Sequence, residues 1–164
     1  MKLWLGIFVF LVSSQVLCGQ EAPTDMTYPI LGVEIEGLGG STGLGTGLIL
    51  KPSPGWSLGL GVASLLVIRD VHVSFKYSFA TGSLRPFAAI GIGYFVASGL
   101  PGFGTGGRGL FFDARYGADY HITDKSYIGL DGGLWYSPSF ALDLGTLSIP
   151  AIAPWGGVHL GFLF

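Results

Sequence analysis

The stretch LFFDARYGADYH, residues 110 to 121, constrains the fold more than any other feature of the chain. Leu110, Phe112, Ala114, Tyr116, Ala118 and Tyr120 alternate with Phe111, Asp113, Arg115, Gly117, Asp119 and His121. Successive side chains of a strand point to opposite faces, so this period of two gathers nearly all the polarity on one face. A helix through the same residues would scatter the charges around its circumference. The parity recurs in VHVSFKYSF, 71–79, where Val71, Val73, Phe75, Tyr77 and Phe79 oppose His72, Ser74, Lys76 and Ser78. It recurs in LGVEIEG, 31–37, with Leu31, Val33 and Ile35 opposite Glu34 and Glu36. The closing residues VHLGFLF carry Val158, Leu160, Phe162 and Phe164 on one face, where a terminal strand in water would more often become polar.

Composition separates the two environments such strands can have. Charged residues make up 11% of the 164 and hydrophobic ones 49%, whereas an ordinary soluble domain carries about 25% charge. A soluble antiparallel barrel or sandwich turns its polar face outward. Here that face is largely Gly, Ala and Ser, a poor coat for water but a sensible lining for a narrow barrel. A helical membrane protein has PFAAIGIGYFVASGL, 86–100, as its best span, which is short, starts with Pro and is interrupted by Gly. The formal net charge of −2 gives no reason to expect nucleic acid as a partner.

Strands are therefore expected near 28–38, 43–51, 56–65, 71–79, 85–95, 110–121, 126–136 and 152–164. Their number is even, and their lengths suit tilted transmembrane strands of about 9–11 residues. Tight turns at 52–55, 80–83 and 123–125 alternate with longer segments at 96–109 and 137–151. Two further connectors on the longer side, 39–42 and 66–70, are short. Tight turns on one side and long loops on the other are the plan of an outer-membrane barrel. Trp56, Phe79, Tyr120, Phe162 and Phe164 fall near the tight-turn side and Tyr94 and Tyr136 near the other, as two aromatic girdles require. The predicted fold is all-β, an eight-stranded antiparallel up-and-down transmembrane barrel over 28–164.

Lys2 followed by the apolar run Leu3 to Val12 and then SSQVLCGQ reads as a secretory signal over 1–19, before a short polar lead-in over 20–27. Cys18 is the only cysteine, so no intrachain disulfide can form. A lipid on Cys18 would require a small residue before it, and Leu17 is bulky.

The terminal GFLF, with Val158, Leu160, Phe162 and Phe164 alternating, resembles the signal by which the barrel assembly machinery accepts outer-membrane proteins. LRPFAAIGIGYF, 84–95, and GADYHITDKSYIGLDGGLWY, 117–136, resemble the fifth strand and the sixth strand, turn and seventh strand of the eight-stranded OmpA-like and OmpX-like superfamily. This resemblance implies a barrel in the cell outer membrane, surrounded by outer-membrane lipid. Within that likeness the chain is expected to lack a periplasmic peptidoglycan-binding domain and long protruding adhesive strands.

The inward parity collects Glu34, Glu36, His72, Lys76, Arg85, Asp113, Arg115, Asp119, His121, Asp131 and His159. Five carboxylates there face three fixed cations, and buried charges need partners. Arg115 is expected to meet Asp131 on the neighbouring strand, and Lys76 to meet Glu34 or Glu36 across the lumen. Such pairs would plug the lumen; a narrow solute or ion pore is the alternative. A lipid-modifying enzyme is the third reading, because His72 and Ser74 share the His-x-Ser spacing of some outer-membrane deacylases. Three points oppose it: both residues point inward, the chain has no Asn to serve an oxyanion, and spacing places no acidic partner. GFGTGG, 102–107, matches a dinucleotide-binding pattern but precedes a strand rather than a helix, and reads as an outer loop. The three histidines lie on separate strands without ligand spacing, so neither metal nor cofactor is expected. The role expected is structural or interactive and non-enzymatic, with loops 96–109 and 137–151 presented to a surface ligand.

Overall fold

The computed structural model describes residues 28–37, 44–65, 68–98, 107–138, 142–143, 148–149 and 152–164. The signal and lead-in expected over 1–27 lie outside them. The described residues form ten strands: β1 Ile30–Gly37, β2 Leu44–Ser53, β3 Trp56–Leu65, β4 Ile68–Ser78, β5 Leu84–Ala97, β6 Gly107–Thr123, β7 Ser126–Tyr136, β8 Leu142–Asp143, β9 Ser148–Ile149 and β10 Ile152–Leu163. Eight of them close into one barrel in the order β1-β10-β7-β6-β5-β4-β3-β2, every neighbour antiparallel. The closing seam runs from Gly32 opposite Leu163 to Gly37 opposite Val158. Closure gives every barrel strand a hydrogen-bonded neighbour on both sides, which is what a sheet needs where water cannot satisfy its backbone.

Several boundaries differ from the sequence expectation. β4 begins at Ile68, so the segment read as a connector over 66–70 is mostly strand. β5 continues to Ala97 and β6 starts at Gly107, with Ala97 paired to Gly107, so the loop read over 96–109 is shorter. Gly107 is thus in β6, while the rest of GFGTGG lies outside the described residues. The loop read over 137–151 contains a small hairpin, β8 with β9.

One end of the barrel is tightly sewn. Residues 54–55, 79–83 and 124–125 form its turns, and backbone bonds join neighbouring hairpins: Ser78 N to Gly55 O, 2.8 Å, and His121 N to Ser83 O, 2.7 Å. Leu163 N donates to Lys125 O at 2.7 Å and Phe164 N to Leu31 O at 2.8 Å, which fastens the last strand at this end. The opposite end carries the remaining connectors and is the loop end.

Burial is inverted relative to a soluble protein. Among the described residues, 31 large hydrophobic side chains are exposed and 11 hydrophobic residues are buried, while 12 buried residues are polar or charged. Along the barrel strands the two populations alternate. In β6, for example, Leu110, Phe112, Ala114, Tyr116 and Tyr120 face out while Phe111, Asp113, Asp119 and His121 are buried.

Candidate functional site

The described inward-facing side chains fall into three layers. At the loop end Phe95, Ala97, Phe111 and Trp135 form an apolar cluster against which Ile68 and Trp155 pack. The Phe111 and Trp135 rings stack at 5.8 Å, and Phe95 meets Trp135 edge-on at 5.6 Å. At the turn end Ile30, Ile49, Tyr127 and Leu163 form a second cluster, flanked by Tyr28. Between the clusters lies the charge.

Lys76 of β4 reaches across β5 to Asp119 of β6, Nζ to Oδ2 at 2.7 Å, and stands 3.9 Å from Glu34 of β1. His159 of β10 approaches the other oxygen of Asp119, Nε2 to Oδ1 at 2.8 Å. The Tyr127 hydroxyl donates to Glu34 Oε2 at 2.7 Å. Lys76 Nζ also sits 4.1 Å from the centre of the Phe87 ring, a cation over a π face.

Arg115 occupies the second centre. Its Nε is 2.8 Å from Asp113 Oδ1, and its Nη1 is 3.9 Å from Asp131 and 4.0 Å from Glu36. The Asp113 contact is an ionic approach rather than an aligned hydrogen bond. His72 Nδ1 lies 2.7 Å from Asp70 Oδ1, and its Nε2 faces Glu36 at 3.7 Å. His159 Nδ1, 3.6 Å from Asp131, links the two centres. One network thus joins β1, β4, β6, β7 and β10.

Of the residues singled out from the sequence, Glu34, Glu36, His72, Lys76, Asp113, Arg115, Asp119, Asp131 and His159 meet in this network. Arg85 does not join it through a direct contact; its Nε donates to Gly82 O at 2.8 Å and braces a turn. His121 lies against the Tyr127 ring at 5.1 Å. The shortest partners differ from those expected: Asp113 rather than Asp131 for Arg115, and Asp119 rather than Glu34 or Glu36 for Lys76. Arg115 pairs in register with Gly133 and Asp131 with Gly117, so Arg115 and Asp131 are diagonal neighbours across the ladder. Diagonal residues stand farther apart than direct partners.

Two buried charges were not legible as interior residues, Asp70 and Lys51. Adding them gives six carboxylates (Glu34, Glu36, Asp70, Asp113, Asp119, Asp131) against four fixed cations (Lys51, Lys76, Arg85, Arg115). The signal for Asp70 was its parity with His72 and Ser74. Asp70 also supplies the acidic neighbour that spacing alone had not placed beside His72, which corrects the third objection to catalysis. The first remains: Asp70 and His72 are buried in the lumen, and Ser74 shares their inward parity. The His72 nitrogen left for a substrate faces Glu36.

Glycines make room for this network. Gly59 stands opposite Ser74, Gly61 opposite His72, Gly91 opposite Asp113 and Gly93 opposite Phe111. Gly129 lies between Asp119 and His159 on the two flanking strands, and a Cβ there would strike both His159 Nε2 and Asp119 Oδ1. Gly129→Ala is therefore expected to destabilise the barrel by about 1–3 kcal/mol through overpacking. Denaturant unfolding in micelles checks this, and an unchanged midpoint would contradict the packing described.

Among the described residues no group of three or more His, Cys, Asp and Glu could hold a metal ion. The fold and the polar interior define a closed eight-stranded antiparallel barrel of inside-out burial. The chain is similar to the N-terminal β-barrel domain of Pseudomonas aeruginosa OprF: the likeness covers 85% of this chain and 100% of that one, with a TM-score of 0.57 and 19% identity. At that identity the likeness concerns the fold. No protein-family model and no curated protein matches the sequence.

Proposed function

We propose that the chain is a non-enzymatic barrel of the cell outer membrane with a structural or surface-interaction role, its lumen plugged by interior charge pairs. The observation that carries this reading is the inverted burial. The outward wall is apolar from Leu31 and Leu48 round to Leu130 and Leu160, and these side chains gain nothing from water. Along β5, the ten residue steps from Leu84 to Tyr94 span roughly 25 Å of membrane normal at the usual strand tilt, matching the apolar band of such barrels. Aromatics flank that band: Trp56, Phe75 and Tyr77 pack together toward the turn end, while Phe112 and Tyr136 stack toward the loop end. By this orientation the turn end is periplasmic and the loop end faces outside.

The plug rests on the two apolar clusters that stand over the charged layer. A narrow pore is the second reading, favoured by the looser pairs of 3.6–4.0 Å around Glu36 and Asp131, which could exchange partners. In this reading Val158, Leu160, Phe162 and Phe164, outward on β10, are offered to the barrel assembly machinery, and the loop end is offered to a surface ligand. The test is folding of the chain from denaturant into phospholipid vesicles, followed by electrophoresis with and without heating. A closed membrane barrel gives a species whose mobility changes on heating; a chain that stays unfolded with vesicles yet folds in buffer contradicts the reading.

A further inference from the structure

The charges on the outward wall point to a lipid site. The loop-end hairpin carries Asp143 on β8; on the eight barrel strands, the described fixed charges outside the interior set are Arg69 on β4 and Arg108 on β6, both exposed. They have the same sign, both are the second residue of their strand, and both lie at the loop end. Both are also in register with one residue of the strand between them, Val96. Their backbones therefore stand two strand spacings apart, about 10 Å, close enough for two guanidinium groups to converge on one anionic group.

A groove in the wall runs down from Arg69. Its upper part is lined by Leu44, Thr46, Val62, Ser64, Arg69 and Asp70, the last with its carboxylate turned inward onto His72, and its lower part by Val33, Leu48, Leu60, Val62 and Val71. The groove exists because Thr46 is short where Leu44 and Leu48 flank it, and its hydroxyl turns onto the Glu34 carbonyl at 3.2 Å. Its walls are apolar, while its upper end carries Ser64 in register with Arg69.

We infer that Arg69 and Arg108 clamp the phosphate of an outer-leaflet lipid whose acyl chain lies in the β2–β4 groove. Arginine presents a planar fork that matches phosphate oxygens, and the charges complement an anion at headgroup depth. Arginine is tolerated at that depth, whereas at the bilayer centre it is strongly disfavoured. The site rests on the membrane-barrel reading above.

The test uses the full chain folded in micelles, with phosphatidic acid as probe, diacylglycerol as its phosphate-free counterpart and inorganic phosphate as competitor. Retention of each lipid is read by native mass spectrometry, and the heat-modifiability gel is run on every sample. The wild type is expected to retain phosphatidic acid at least tenfold better than diacylglycerol, and Arg69→Gln with Arg108→Gln to abolish that preference while staying heat-modifiable. Equal retention of the two lipids by a heat-modifiable wild type, or a preference untouched by the double substitution, overturns the clamp alone. Displacement by millimolar inorganic phosphate would assign the arginines to a free anion and overturn the lipid. A chain that never becomes heat-modifiable overturns the clamp together with the membrane reading.

Discussion

Lys76→Met is expected to destabilise the folded barrel by about 3 kcal/mol, toward the low end of what removing one partner of a buried ion pair costs. Asp119 would lose the cation at 2.7 Å and keep His159 at 2.8 Å. Glu34 would lose its nearest fixed cation and keep the Tyr127 hydroxyl. The companion variant Lys76→Met with Asp119→Asn removes both charges while leaving an oxygen for His159, and is expected to regain more than half of the loss. Urea unfolding from vesicles, followed by tryptophan fluorescence, gives the four corners of the cycle. Additive effects would mean that Lys76 and Asp119 do not interact.

The second large effect lies on the other side of the wall. Leu130 is 64% exposed near the middle of β7, between Val158 and Ala118 in the register. On a water-facing surface Leu130→Arg would change stability by no more than about 0.5 kcal/mol. Facing the centre of a bilayer, it is expected to cost about 2–4 kcal/mol, while Ile122→Arg beside the 124–125 turn costs about 0–1. Ile122 is equally exposed at 64%, so the contrast isolates depth. Equal, small effects at both positions would place this wall in water.

The architecture was legible because period two survives wherever one face is apolar and the other is not. β6 and the 71–79 segment show it cleanly, and adding the short apolar runs gave all eight barrel strands. The misplaced starts of β4 and β6 have one physical cause. Arg69 and Arg108 put charge on the apolar face next to a strand end, which breaks the alternation where β4 and β6 begin. Asp70 was lost with that boundary. Lys51 was obscured differently, because Ile49, two residues earlier on the same face, belongs to the apolar turn-end cluster, so the LILK run is apolar on both faces.

Partner choice inside the lumen was less legible than membership. Which residues face inward follows from parity along one strand. Which of them meet depends on the stagger between strands and on the reach of long side chains. Lys76 and Asp119 are separated by the whole of β5, where Ala89 is short beside Lys76 and Phe87 lies under the ammonium. Arg115 and Asp131 stand on adjacent strands, but the ladder offsets them by two residues and Asp113, on the arginine's own strand, comes closer. Likewise, the positions of the glycines were visible, but their function as space for specific cross-strand neighbours requires the register.

On the reading proposed above the chain is a membrane barrel whose bore its own charges close, with Phe95, Phe111 and Trp135 over one end and Tyr127 and Leu163 over the other. Planar-bilayer conductance of the heat-modifiable, vesicle-folded protein tests it most directly. A plugged lumen predicts a silent bilayer at moderate voltage; reproducible discrete current steps from the same folded species would contradict the plug and make the Lys76 and Arg115 centres the lining of a pore.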